Sequence, residues 1–165
     1  MHYYSHQQLI EIGKLSKEDF KKIKTYHDKH NHLGFAYQLI FVRLLNYFPK
    51  QKPLKVIEDI LLFTALQLDL DSKYIEEYLK HQSHIARHQE YIRRYLNLKS
   101  FDIQASLELQ QFLFEEAQRI EATTLLTAKA YEFLKNRHTL QPSDDTLQRL
   151  IVICLLYTSP SPRDS

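Results

Sequence analysis

Residues 30–49 read HNHLGFAYQLIFVRLLNYFP, and reading them as one helix decides the fold. Leu33, Tyr37, Ile40, Leu44 and then Tyr47 or Phe48 recur at spacings of three and four, which lays a broad apolar stripe along a helix face. Asn31 suits the N-cap, since its side-chain oxygen can accept a backbone N–H of the first turn, and Pro49 ends the helix. Gly34 then falls in the first turn. A glycine there costs about 1 kcal/mol relative to alanine, which calls for a compensating close approach by another helix or by a nucleic-acid backbone.

Outward from this stretch the same period continues. Upstream, a short helix covers Ser5 to Ile12 and breaks at Gly13, and Ser16 with Asp19 three residues on forms a capping box that opens a helix running to about His30. Downstream, Pro53 suits a first-turn position before a helix from Leu54 to about Leu68, and Asp69 and Asp71 mark its end. A compact helix from Ser72 to about His81, a turn at Gln82 and Ser83, and a helix from His84 to Leu96 have the proportions of a helix-turn-helix. Amphipathic helices continue from about Ile103 to Ile120, from Ala122 to Asn136 and from Ser143, with Leu107, Phe112, Phe114, Leu125, Leu126, Tyr131, Phe133 and Leu134 as their core.

Composition agrees with this pattern. Two glycines and five prolines in 165 residues leave too little turn material for a β-sandwich, so the expected class is all-α, built of packed helical units that include helix-turn-helix-like elements. The expected units are 1–52, 53–100 and 101–153, with a tail at 154–165. The start has no apolar signal region and no apolar run is long enough for a membrane span, so a bacterial cytoplasmic setting is expected. A single cysteine, Cys154, excludes a disulfide framework or a multi-cysteine zinc site. From that residue the sequence CLLYTSPSPRDS loses helical periodicity and resembles the in-frame translation of a sequencing-library adapter, so the tail is expected to be non-native.

The net charge of +2 is unevenly spread. Residues 1–52 carry nine Lys or Arg against four Asp or Glu, 53–100 carry seven of each, and 101–153 carry five against eight. The basic front points to a polyanion partner, although a lysine surplus also serves solubility. On the helix from His84, Ile85, Ile92 and Leu96 form the inner stripe, while His84, Arg87, Tyr91 and Arg94 share the outward face, flanked by Lys80, His88 and Arg93. An Arg-rich helix face fits the major groove, where Arg bridges the two acceptors of guanine; the alternative is a solvated basic helix packed on acidic neighbours such as Glu76 and Glu77. Lys17, Lys21 and Lys24 share a helix face suited to phosphate contacts or simply to water.

Catalytic patterns are missing. There is no Gly-rich phosphate loop or nucleophile elbow, and Asp144 and Asp145 read as first-turn residues favouring the helix dipole. HIARH from His84 to His88 has Ile85 where a zincin carries its general-base Glu, so the histidines read as capping or surface imidazoles, without a metal.

HNHLGFAYQLIFVRLL resembles the HNRLGFALQLCYLR-type segment near the N-terminus of Tn-three family transposases, through Asn31, Leu33, Gly34, Phe35, Ala36, Gln38, Leu39 and Arg43. Gln67, Leu68, Tyr78, His88, Ile92, Arg93, Arg94, Tyr95 and Leu96 resemble a second family block, and Pro142 with TLQRLI from Thr146 a third. The chain departs from the pattern at His32, where Arg is usual, at Asn97, where Gly is common, and at His84 and Ile85, which are often basic. The resemblance implies a helical region that binds double-stranded DNA at terminal inverted repeats, with the metal-dependent catalytic domain lying elsewhere. It places Asn31 and His32 near DNA, beside Arg87, Tyr91 and Arg94, and implies no cofactor here. A helical protein-interaction module for transposase assembly is the competing expectation.

Overall fold

The computed structural model describes residues 4–158 and divides into two compact units, one ending at Leu96 and one starting at Asn97. Among the described residues the secondary structure is nine helices and two isolated bridges, so the chain is all-α.

The first unit contains α1 (His6–Gly13), α2 (Lys17–Ile23), α3 (Lys29–Leu45), α4 (Glu58–Leu68), α5 (Tyr74–Tyr78) and α6 (Gln82–Tyr95). Ser5 with Gln8 and Ser16 with Asp19 form capping boxes at the starts of α1 and α2, each polar side chain bonding the other residue's backbone N–H. α2 is half as long as its periodicity predicts. It stops at Ile23 because Tyr26 leaves the helix to set its ring 5.2 Å from Phe35 and 4.5 Å from His88. The chain restarts at Lys29, so Asn31 lies inside α3 and is not its cap, and Gly34 falls in the second turn.

α3 is the axis of this unit. Leu33, Phe35, Ala36, Tyr37, Leu39, Ile40 and Phe41 are all fully buried, so it is apolar around its circumference, with α1, α2, α4, α5 and α6 packed against it. The expected division at residue 52 therefore falls inside a single unit: α3 has no separate core to share. α3 ends at Asn46, whose left-handed φ of 61° lets its N–H bond Val42 O at 2.8 Å, before Pro49 is reached. Pro53 does not start a helix. It lies in a turn that brings Gln51 and Leu54 into an antiparallel bridge, and Tyr37 anchors the segment after it, its Oη donating to Lys55 O at 2.9 Å and accepting from Ile57 N at 2.8 Å. α4 consequently begins at Glu58, and left-handed Asp69 closes it.

The second unit packs α7 (Ile103–Ala117), α8 (Thr123–Asn136) and α9 (Asp144–Thr158) around Leu109, Leu113, Ala117, Leu126, Ala130, Leu134, Leu147, Ile151 and Cys154. Two expected core residues are exposed, Leu107 at 56% and Leu125 at 50%, because the buried stripes are turned from the expected ones toward small Ala117 and Ala130. The helical period also does not fail at Cys154: α9 runs through Thr158 and the thiol is buried among apolar neighbours. The rest of the expected tail, residues 159–165, lies outside the described residues.

Candidate nucleic-acid interface

α6 presents three different edges, and the differences arise from what α3 offers beneath it. Ile85, His88 and Ile92 are buried against the core. Diametrically opposite, Ser83, Ala86, Arg87, Glu90 and Arg94 form an exposed ridge. Arg87 and Arg94 make no ion pair there among the described residues.

A chain of side-chain amides, beginning at a buried one, holds α6 in this orientation. Gln38, fully buried on α3, donates from Nε2 to Tyr78 Oη at 2.8 Å and accepts at Oε1 from Gln89 Nε2 at 2.6 Å. Gln51 continues the chain by donating to Gln89 Oε1 at 2.7 Å. Tyr78 Oη in turn donates to His88 Nδ1 at 2.7 Å, and the two rings stack with centroids 5.5 Å apart. His88 is therefore a core residue, correcting its expected place beside the DNA-facing residues. Burial, with smaller contributions from His84 and Arg87, pushes its pKa down to about 3 and keeps it neutral. Gly34 gives this arrangement its room: a Cβ built there would run into the ring of Tyr78. Of the two close approaches that could explain this glycine, the one observed is that of a helix.

The remaining expected site residues divide into free and engaged. Lys17, Lys21 and Lys24 are exposed along α2 and just past its end. Asn31 is buried and its Oδ1 accepts from His84 Nδ1 at 3.2 Å, while His32 donates from Nε2 to Tyr26 O at 2.5 Å. Both hold the chain together, so neither stands free on the surface. Tyr91 is half-buried with its ring edge on Phe35, 5.8 Å between centroids, and so does not share the open face of Arg87 and Arg94. Arg93 lies 5.9 Å above the Phe48 ring. Lys80 is exposed but 3.5 Å from Glu77, which also accepts from His81 at 2.9 Å, so that acidic residue serves α5 and not the arginines of α6. His30, His81 and His84 stack in file, with centroids 5.1 and 4.8 Å apart, an arrangement of parallel faces whose nitrogens do not converge on a common ligand.

Two lysine-bearing segments flank the ridge. On one side, α2 is tied to the end of α6 by Asp19, which is 1% exposed and accepts from Arg43 at 2.6 and 2.8 Å, from Tyr95 Oη at 2.7 Å and from Ser16 N at 2.8 Å. Burial would raise its carboxyl pKa, but these donors prevail and hold it at about 2. Lys22 Nζ sits 5.6 Å over the Tyr95 ring in the same joint. On the other side, the Gln51–Gln89 bond seats the loop carrying Lys50, Lys52 and Lys55, all exposed. These three lysines do not stand out in the sequence because Pro53 reads there as a helix start; their clustering around that proline was the available signal.

A family model described as a domain of unknown function, DUF4158, matches residues 2–153. The chain belongs to the DUF4158 family. This DUF4158 chain is also 26% identical over 145 residues to the transposase for transposon Tn501 of Pseudomonas aeruginosa, an overlap of 88% of the chain but 15% of that transposase. The relationship to transposases drawn from the three ordered blocks therefore stands, and the DUF4158 chain spans about 15% of the length of its curated relative. Among the described residues, no helix of the DUF4158 chain is long and apolar enough to cross a membrane.

Proposed function

We propose that this chain is the DNA-recognition region of a transposase and binds the terminal inverted repeats of its mobile element. One observation carries the reading: in a relative of a transposase, the Arg87–Arg94 ridge of α6 stands exposed, and the two segments bonded to α6 at Tyr95 and Gln89 both carry exposed lysines. That is the layout of a helix entering the major groove while its flanks neutralise phosphates on either strand. α5 and α6 serve as the helix-turn-helix-like pair, Arg87 and Arg94 face the bases, and Lys21, Lys24, Lys50 and Lys52 supply affinity that does not depend on sequence. The chain contributes recognition and no catalytic group. Strand cleavage, its divalent metal and self-association belong on this reading to the rest of a longer transposase, acting on the nucleoid of a bacterial cell.

The test is binding of the full chain to a duplex carrying the element's terminal repeat and to a random duplex of the same length, at physiological salt. Tighter binding of the repeat, weakening steeply as salt rises, is expected; equal affinity for both overturns specific recognition. A second reading, a protein-interaction module, rests on the exposure of Ile103, Leu107 and Leu125 in the more acidic second unit. An apolar interface of that kind would persist at high salt, where DNA binding collapses.

A further inference from the structure

The α6 ridge holds one residue that a phosphate-binding surface would not carry. Glu90 is the sole acidic residue of α6, and it occupies the middle of the ridge, three residues after Arg87 and four before Arg94. Its side chain is 60% exposed, and its nearest cation, Arg93 Nε on the adjoining edge, lies 3.9 Å away. An exposed pair at that distance is screened by water and contributes too little to explain a carboxylate at this position by helix stability. On a face whose role was only to neutralise phosphates, Glu90 would repel the partner it helps to present.

A base edge changes the sign of that interaction. Ser83 and Ala86, on the same ridge, are small and let the helix approach the groove floor. The seven helical steps from Arg87 to Arg94 span about 10 Å of helix axis, comparable with three base-pair steps of about 3.4 Å. Glu90 falls between them, opposite the central step. In the major groove the exocyclic amino group of cytosine is a donor, and a carboxylate is the side chain that accepts from it, while the acceptors of guanine, the N7 acceptor beside the amino group of adenine, and the O4 and methyl of thymine disfavour it.

We propose that Glu90 is a specificity-determining residue that selects cytosine at one position of the recognised duplex, within the reading of α6 as the groove helix on which this proposal rests. Arg87 and Arg94 supply attraction to either side, and Glu90 excludes the wrong base. The experiment is selection from a randomised duplex library at physiological salt by the full chain and by its Glu90→Ala variant, with Glu90→Gln as a second variant and helicity checked by circular dichroism. The wild type is expected to enrich a motif with an invariant cytosine on one strand, and Glu90→Ala to lose about tenfold or more of the discrimination at that position alone. Glu90→Gln, which keeps size but can also donate, should broaden the preference at the same position. If both variants retain the wild-type motif and bind all duplexes more tightly, Glu90 is only a repelling charge and the proposal is overturned. If the wild type enriches no motif, the groove-helix reading fails, and this proposal fails with it.

Discussion

Where Gly34 faces Tyr78 there is room for a hydrogen atom and nothing larger. Alanine would improve helix propensity by about 1 kcal/mol, yet its methyl would meet a ring held by Gln38 and His88 and unable to retreat. Overpacking of this kind costs about 1 to 3 kcal/mol, so Gly34→Ala is expected to lower the urea midpoint clearly. Gly13→Ala, whose methyl would meet Phe63 and Ile40 side chains at 3.0 and 3.1 Å, should cost less in the same assay. His88 makes a second prediction at this scale. Its folded pKa of about 3 lies below the ordinary 6.5, so the unfolded chain binds the extra proton between those values and stability rises with pH across that window. Acidification from pH 6.5 toward 3 should therefore remove stability, up to about 4 kcal/mol, and His88→Gln should flatten that part of the stability curve. Asp19 acts lower: its folded pKa of about 2 is below the usual 3.8, so its contribution is present above 3.8 and disappears as pH falls through 2.

At the scale of elements, α6 and its two flanks should separate in their salt behaviour. Arg94→Ala is expected to cost about 1 to 3 kcal/mol on the terminal repeat and to relax preference at one base position. Lys21→Ala and Lys52→Ala, on opposite flanks, should each weaken binding to all sequences and reduce the slope of affinity against log salt by about 1. Filter binding across a salt series measures both. The elements also show what a sequence discloses. The capping box at Ser16 was readable because its bonds join residues three apart, and the buried stripe of Ile85 and Ile92 because it repeats with the helix. Tyr26 was not readable: its departure from α2 is directed by Phe35 and His88, which are distant in the chain. His88, three residues after Ile85 and four before Ile92, lay on that same stripe by spacing, and its polar ring is what made it read as a surface residue. Nothing in its local sequence announces Tyr78 Oη, so only the fold reveals that it is satisfied internally. Arg87 and Arg94 needed no such partner, and their exposure followed from helical spacing alone.

For the molecule as a whole, the two units divide the labour of the proposed function. The surplus of positive charge, the α6 ridge and both lysine flanks lie in the unit ending at Leu96, while the second unit is acidic on balance. A chain ending at Leu96 is expected to bind the terminal repeat within about threefold of the full chain, since it retains every proposed phosphate contact. A loss greater than about a hundredfold would move recognition into the second unit. Within the first unit, the Asp19 joint has a wider consequence. Because one buried carboxylate grips α2, α3 and α6 together, it fixes the distance from the α2 lysines to α6, the proposed groove helix. The unit works as a caliper with fixed jaws. On the proposed DNA-binding reading, duplexes of one groove width are expected to fit between them, and an A-form RNA helix, with its deep and narrow major groove, is expected to bind more weakly than B-form DNA of the same sequence.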